Sequence, residues 1–134
     1  MIVIPRTKDK IPVKIGELEF LISPLNVEQK LKLAGMVKMD KGEEKPDSIG
    51  IALSTIKFGV KGLKGAVNLD GSEYKLEFDA SGVLTDDCVS DISNIPGNDK
   101  LVQSCIAIGN GQLDVKLDGV EIVLPKKEEQ SEKK

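Results

Sequence analysis

The sequence contains no histidine and no tryptophan, and aromatic residues make up only 3% of its 134 residues. The absence of histidine excludes His-based catalytic triads, His-ligated zinc and histidine general bases. So few aromatic rings argue against a single-strand nucleic-acid binder, which stacks bases on such rings. A formal net charge of −3 also lacks the basic field that draws proteins to nucleic acids and anionic membranes. We therefore expect neither nucleic acid nor membrane as a partner.

Cysteine is scarce, and long apolar runs are missing. Cys88 and Cys105 stand alone without a CxxC motif, and we expect both to be buried free thiols rather than a disulfide. The first residues lack the charged segment and apolar stretch of a signal peptide. No run approaches the roughly 20 apolar residues of a membrane helix. Together these absences predict a cytoplasmic protein.

Three segments alternate apolar and polar residues around a two-residue turn, which is the pattern of an antiparallel β-hairpin. The predicted hairpins span residues 11–22, 63–78 and 113–124, with turns at Gly16-Glu17, Asp70-Gly71 and Asp118-Gly119. Each register brings apolar side chains to one face. Examples of the predicted pairs are Val13 with Phe20, Val67 with Tyr74, and Val115 with Ile122.

Helical spacing and capping residues predict four helices between these hairpins, at about residues 27–39, 48–60, 85–95 and 98–109. Asn26 is the predicted N-cap of the first helix, and a charged loop over residues 40–47 follows it. The first helix has an apolar arc that we expect to face the core, composed of Val27, Leu31, Leu33, Ala34 and Val37. Gly50 and Gly59 leave the segment 48–60 open between a helix and a strand that begins near Ile56.

This order of elements predicts an α+β fold with antiparallel pairing. We expect residues 1–125 to form a single domain. The last nine residues, 126–134, have no apolar side chain, so they are predicted to be a disordered charged tail.

Carboxylates are the only plentiful residues with catalytic chemistry. Asp86, Asp87 and Asp91 could hold a cation, but calcium-loop spacing is absent, and Asp in a helix's first turn stabilises the helix dipole. Cys88 has no base to activate it. The GxxGxxG pattern of residues 59–65 precedes a strand, which favours a bend or bulge over a phosphate site. We predict no catalytic, metal or cofactor-binding residue and no enzyme activity.

Two methionines are the candidate partner-binding residues. On the predicted first helix, Met36 and Met39 lie away from the apolar arc. Exposed methionine is common on surfaces that accept varied apolar partners. The alternative is that Met39 lies in the following loop while Met36 touches a neighbouring element.

Several stretches resemble the tail assembly chaperones of tailed bacteriophages: residues 13–25 ahead of a helix, 56–65, and 73–79 with 84–92. The resemblance is one of style, a short β segment followed by helices, and lies within residues 11–112. It implies a non-enzymatic protein of the host cytoplasm that binds the tape measure protein and helps recruit tail tube subunits. The alternatives are a tail or capsid component that pairs its hairpin edges with like subunits, and an inhibitor of a host protein.

Overall fold

The computed structural model describes residues 3–124, and in this range the chain forms four helices and six strands. In chain order they are β1 (Ile11–Ile15), β2 (Leu18–Ile22), α1 (Val27–Ala34), β3 (Val37–Asp40), β4 (Glu43–Pro46), α2 (Ser48–Gly59), β5 (Val60–Lys64), α3 (Asp86–Ile92), α4 (Asn98–Gly109) and β6 (Val120–Ile122). The strands pair antiparallel. The predicted α+β class is confirmed.

The first predicted hairpin, residues 11–22, is confirmed in its register. The opposed apolar residues are Ile11 with Ile22, Val13 with Phe20, and Ile15 with Leu18. Gly16 takes a φ of 61° at the first turn position, as a type II′ turn requires. Most of these apolar side chains are buried, so the hairpin's inner face forms one wall of the core.

This hairpin is the centre of a four-stranded sheet with the order β5-β2-β1-β6. The outer face carries a row of alternating charges, because Lys14 lies opposite both Glu19 and Glu121 and Glu19 lies opposite Lys64. Opposite charges in directly opposed cross-strand positions stabilise a sheet. A row of this kind is typical of a sheet face that contacts water.

The core lies between the inner face of this sheet and the helices α2, α3 and α4. Both layers contribute fully buried side chains, including Phe20, Ile22, Ile56, Leu84, Ile92, Leu101 and Ile108. Helix α4 packs against α2 and β1. The result is the usual two-layer arrangement of helices on one face of an antiparallel sheet.

Three of the four predicted helices are confirmed. The observed bounds are Ser48–Gly59, Asp86–Ile92 and Asn98–Gly109, against predictions of 48–60, 85–95 and 98–109. The open choice within residues 48–60 is resolved as helix, because strand β5 begins only at Val60. The side chain of Asp47 caps α2 by accepting from the Gly50 N–H at 3.1 Å.

The predicted first helix, residues 27–39, is wrong in its second half. Helix α1 ends at Ala34, with Gly35 as its C-cap. The chain then forms the β3–β4 hairpin where the sequence predicts more helix and a charged loop. Lys41 and Gly42 both adopt positive φ, 57° and 81°, which is the geometry of a type I′ hairpin turn. The glycine stop and this turn outweigh the helical periodicity.

The second predicted hairpin, residues 63–78, is wrong about its pairing. Its first two residues, Leu63 and Lys64, belong to β5, which pairs with β2 at the edge of the main sheet. Around the predicted turn the structure describes a single bridge, which joins Val67 to Glu73 rather than to Tyr74. An isolated two-stranded hairpin is marginal in water, so pairing with an existing sheet explains the change of partner.

The third predicted hairpin, residues 113–124, also pairs differently. Its second half is β6, which pairs with β1 instead of with residues 113–117. The predicted turn is present, with Gly119 at a φ of 79°. Val120 and Ile122 lie opposite inward-facing residues of β1. The apolar alternation was therefore correct, and the partner strand was not.

The predicted charged tail, residues 126–134, lies outside the described residues. The single domain over residues 1–125 therefore stays a prediction. Among the helices within residues 3–124, none is both long and apolar enough to cross a membrane.

Candidate functional site

The longest run of described residues without a buried side chain lies between the first hairpin and the second half of α2. Between residues 26 and 54, all of which the structure describes, no residue is buried, although the stretch contains α1, β3, β4 and the first half of α2. Its exposed apolar side chains include Val27 (72% exposed), Leu31 (68%), Val37 (49%) and Met39 (66%). A concentration of exposed apolar side chains indicates a binding surface. The part from residue 26 to residue 47 is the candidate interaction segment.

Helix α1 is held by its own ends rather than by a buried face. The Gln29 N–H donates to Asn26 Oδ1 at 2.8 Å, and the Asn26 N–H donates to Gln29 Oε1 at 3.1 Å. These reciprocal bonds form a capping box and confirm Asn26 as the predicted N-cap. Glu28 in the first turn and Lys32 in the last turn also match the helix dipole. Local bonds thus explain how an exposed helix forms.

The side of α1 that rests on α2 is mostly polar. Leu33 lines a depression against α2, and the Lys32 ammonium lies 5.9 Å from the centre of the Phe58 ring. Helical spacing places the apolar residues of α1 on the opposite side, where they are exposed. We call this side the α1 apolar face. It consists of Val27 and Leu31, with Ala34 at its border, where Ala34 also lines the depression against α2.

The predicted inward arc of the first helix is therefore wrong. Of its five members, Val27, Leu31, Ala34 and Val37 are exposed and only Leu33 is half-buried. The reason is that α2 occupies the position over the sheet, where Ile56 and Gly59 are buried. With α2 in place, α1 lies outside it.

The β3–β4 hairpin is also amphipathic and also exposed. Met39 and Val37 share one face, and Pro46 lies opposite Val37. The other face is charged, with Lys45 Nζ 3.7 Å from Asp40 Oδ2. We call the first side the hairpin apolar face. It consists of Val37, Met39 and Pro46, and Glu44 lies on the same side, opposite Met39.

The sequence predicted both candidate methionines on the first helix, but neither lies on a helix in the structure. Their environments also differ. Met36 follows α1 and is half-buried. A Cβ atom added at Gly50 would lie 3.1 Å from the Met36 Cε, so this side chain covers the first turn of α2. Met39 lies in β3 and is exposed. A partner-binding role for both residues stays a prediction.

The predicted carboxylate cluster is engaged in local contacts. Asp86 Oδ1 lies 3.0 Å from Lys57 Nζ, and Asp91 Oδ2 accepts from the Tyr74 hydroxyl at 2.8 Å. Burial, with hydrogen bonding to Cys88 and Asp91, raises the pKa of Tyr74 above its ordinary value. Within residues 3–124, no three Cys, Asp or Glu side chains lie close enough to share a metal ion.

Both cysteines are buried free thiols, as predicted. Cys88 Sγ accepts from the Glu77 N–H at 3.2 Å. Burial raises the pKa of the Cys105 thiol, which keeps it in the unreactive protonated form.

The glycine-rich segment 59–65 contains the last residue of α2 and the whole of β5. The register between β2 and β5 shifts between Leu21 and Ile22, which agrees with the predicted bend or bulge. Lys61 Nζ donates to the Gly82 carbonyl at 3.1 Å. Burial, followed by the nearby charge of Lys10, lowers the pKa of Lys61.

A polar groove of about 510 Å³ lies between α1, α2 and the loop at residues 79–83. Its two lysines are already engaged, because Lys32 lies over Phe58 and Lys57 contacts Asp86. Asp79 on the loop accepts from the Ser81 and Val83 backbone N–H groups, and hydrogen bonding lowers its pKa. These contacts occupy both lysines of the groove and shape its loop.

Comparison of the chain with protein-family models, with curated proteins and with solved structures gives no match. The fold and its exposed segment are therefore the basis for a functional proposal, together with the resemblance found in the sequence.

The β3–β4 hairpin is the part of this surface that sequence reasoning missed. Its signal was present, since the two-residue turn Lys41-Gly42 follows alternating Val37 and Met39. Lysine is uncommon at the first position of such a turn, which needs a positive φ. In the sequence, the helical spacing of the preceding residues is therefore the stronger pattern.

Proposed function

We propose that this chain is a non-catalytic tail assembly chaperone of a tailed bacteriophage. It acts in the host cytoplasm, binds the tape measure protein and aids assembly of the tail tube. The resemblance of residues 13–25, 56–65, 73–79 and 84–92 to that family supports the proposal. The α+β fold agrees with this resemblance but is shared by many unrelated proteins.

The observation that carries the proposal is the outward α1 apolar face. Val27, Leu31 and Ala34 recur at the spacing of one helix face, and in a soluble protein such a face is normally covered. A second amphipathic helix can cover it by placing its own apolar face there. A chaperone for a long helical protein needs a surface of this kind.

Met39 extends the proposed contact beyond the helix. Its flexible thioether side chain is exposed on the hairpin apolar face and can adapt to different apolar partners. Met36 already covers Gly50, so we expect it to contribute less to binding. Of the two predicted methionines, Met39 is the stronger candidate.

The α1 contact is tested by a pair of charge-matched variants. Val27→Glu with Leu31→Glu lowers the net charge by two, as does Lys30→Glu on the same helix. The double variant should fold, because both residues are exposed, and it should lose co-purification with a co-expressed tape measure fragment, since burying two unpaired charges costs several kcal/mol (~2 or more each).

The control Lys30→Glu should fold and co-purify with the fragment like the unaltered chain. A double variant that folds and still binds fully would place the contact elsewhere. A double variant that fails to fold, seen by circular dichroism, would mean that α1 is covered within the protein itself.

A second candidate is a structural component of the tail or capsid. The open edge of β3 favours it, because strand edges pair readily with like subunits. Mass spectrometry of purified virions separates the two functions. A chaperone is absent from the particle, whereas a structural component is present in many copies.

A further inference from the structure

The outer edge of β3 has backbone groups that point away from β4. The two-residue turn makes Asp40 and Glu43 a hydrogen-bonded pair, and such pairs alternate with non-bonded ones along an antiparallel ladder. The Asp47 N–H bonds the Met36 carbonyl at 3.1 Å, which fits this alternation. The N–H and C=O groups of Val37 and Met39, at the non-bonded positions, therefore face the outer edge.

The corresponding edge of β4 is closed to a further strand. Its outward backbone groups belong to Glu44 and Pro46, because these lie opposite Met39 and Val37. Pro46 has no N–H to donate. Self-pairing centred on Glu44 would place two carboxylates directly opposite each other, which is destabilising. Within the described residues the hairpin thus has one protected edge and one open edge.

We propose that β3 pairs antiparallel with β3 of a second copy of this chain, about a two-fold axis at Met39. In this register Met39 lies opposite Met39, and Lys38 of each copy lies opposite Asp40 of the other. The pairing forms two reciprocal opposite-charge pairs on the charged face and joins the two hairpin apolar faces. An edge that is complementary to itself in this way is what a two-fold homodimer requires.

The small size and the exposure of the β3–β4 hairpin favour a second copy as the partner of β3. Two strands alone are marginal in water, and three or more are needed for independent stability. Both strands of this hairpin are exposed except at half-buried Asp40. Pairing with a second β3 gives a four-stranded sheet with β4 strands at both outer edges, each protected by Pro46. This inference is independent of any tape measure contact.

The test is complementation between two charge variants, read as molar mass by light scattering over a concentration series. The unaltered chain should rise toward twice its 14.5 kDa. Lys38→Asp should remain at the single mass, because it places two carboxylates opposite each other at both positions. The same variant adds an attraction to Lys45 across the hairpin, so loss of the dimer cannot be attributed to loss of the hairpin.

Asp40→Lys should also remain at the single mass, because it places two lysines opposite each other at both positions. An equimolar mixture of Lys38→Asp and Asp40→Lys chains should reach twice the single mass again, since both cross-strand pairs are then of opposite charge. Lys116→Asp, the same charge change at an exposed site away from β3, should behave as the unaltered chain. The proposal is overturned if the unaltered chain stays at the single mass or if the Lys38→Asp chain reaches twice the single mass. It is also overturned if the equimolar mixture stays at the single mass.

Discussion

The segment from residue 26 to residue 47 and the sheet with its three covering helices use similar apolar residues in opposite ways. In the sheet, Val13 and Phe20 are almost fully buried, whereas Val27 and Leu31 of α1 are about two-thirds exposed or more. Both sets follow the periodicity of their element. The difference is the neighbour: a helix layer covers the sheet, and no described element covers the α1 apolar face.

This comparison separates two sources of stability in one small protein. The core is stabilised by the burial of apolar surface, roughly 25 cal/mol per Å². The interaction segment depends on caps, a tight turn and strand pairing, each worth about 1 kcal/mol. Elements held only by such local bonds open more easily than the core. An exposed segment of low local stability is suited to rearrange against a partner.

The largest expected effect is in thiol reactivity. In a chain carrying Leu31→Cys, we expect the introduced thiol to react with iodoacetamide like a free thiol. Cys105 should react more slowly by a factor of about 1,000 or more. Cys105 is 1% exposed, so it reacts only after an opening that costs several kcal/mol (~4 or more). Mass spectrometry of the labelled peptides measures both rates in one sample.

The pH dependence of labelling sharpens this result. Raising the pH toward about 8.5 should accelerate the introduced thiol, because more of it becomes thiolate near its ordinary pKa. Burial raises the pKa of Cys105 in the folded state, but this thiol reacts only in the opened state. Its slow rate should therefore rise with pH in step with the introduced thiol, and the ratio of the two rates should stay nearly constant. Rates within tenfold of each other would mean that the core around Cys105 is open.

The second effect is in global stability. Phe20→Ala should lower the free energy of unfolding by about 3–5 kcal/mol, since it removes the largest buried side chain of the hairpin. Leu31→Ala should change it by less than about 0.5 kcal/mol, because the side chain is exposed. Urea unfolding of both variants measures the difference. A loss of about 2 kcal/mol or more from Leu31→Ala would place α1 in the core.

Much of the fold was predictable because its signals are local. The bounds of α2, α3 and α4 lie within three residues of the predicted ones. The turns at Gly16, Gly71 and Gly119 also lie where they were predicted. What the turns do not specify is which strand each segment pairs with. Residues 63–64 and 120–122 pair with the two edges of the first hairpin. Each of these edges is a better partner than the segment across the local turn.

The candidate site was less predictable, because exposure is not a local property. The spacing of Val27, Leu31 and Ala34 correctly indicates an apolar helix face. Only the position of α2 decides that this face points outward. For Met39 the exposure was predicted correctly and the element was not. The sequence predicts it exposed on a helix, and it is exposed on strand β3. A pattern along the chain defines a surface but not what covers it.

The smallest effect compares two N-caps of the same kind. Thr85 Oγ1 accepts from the Cys88 N–H at 3.3 Å, and Asn26 Oδ1 accepts from the Gln29 N–H at 2.8 Å. Replacing either cap by alanine costs its helix about 1 kcal/mol. Because α3 buries Cys88, Val89 and Ile92, Thr85→Ala should lower global stability by about that amount in urea unfolding.

Asn26→Ala should act differently, because α1 buries no side chain and can unwind while the core stays folded. We expect a change of less than about 0.5 kcal/mol in global stability but about fivefold faster amide hydrogen exchange within α1, the equivalent of about 1 kcal/mol locally. Exchange in α4 should be unchanged. If Asn26→Ala instead lowers global stability as much as Thr85→Ala does, α1 unfolds together with the core, and the two regions are one cooperative unit.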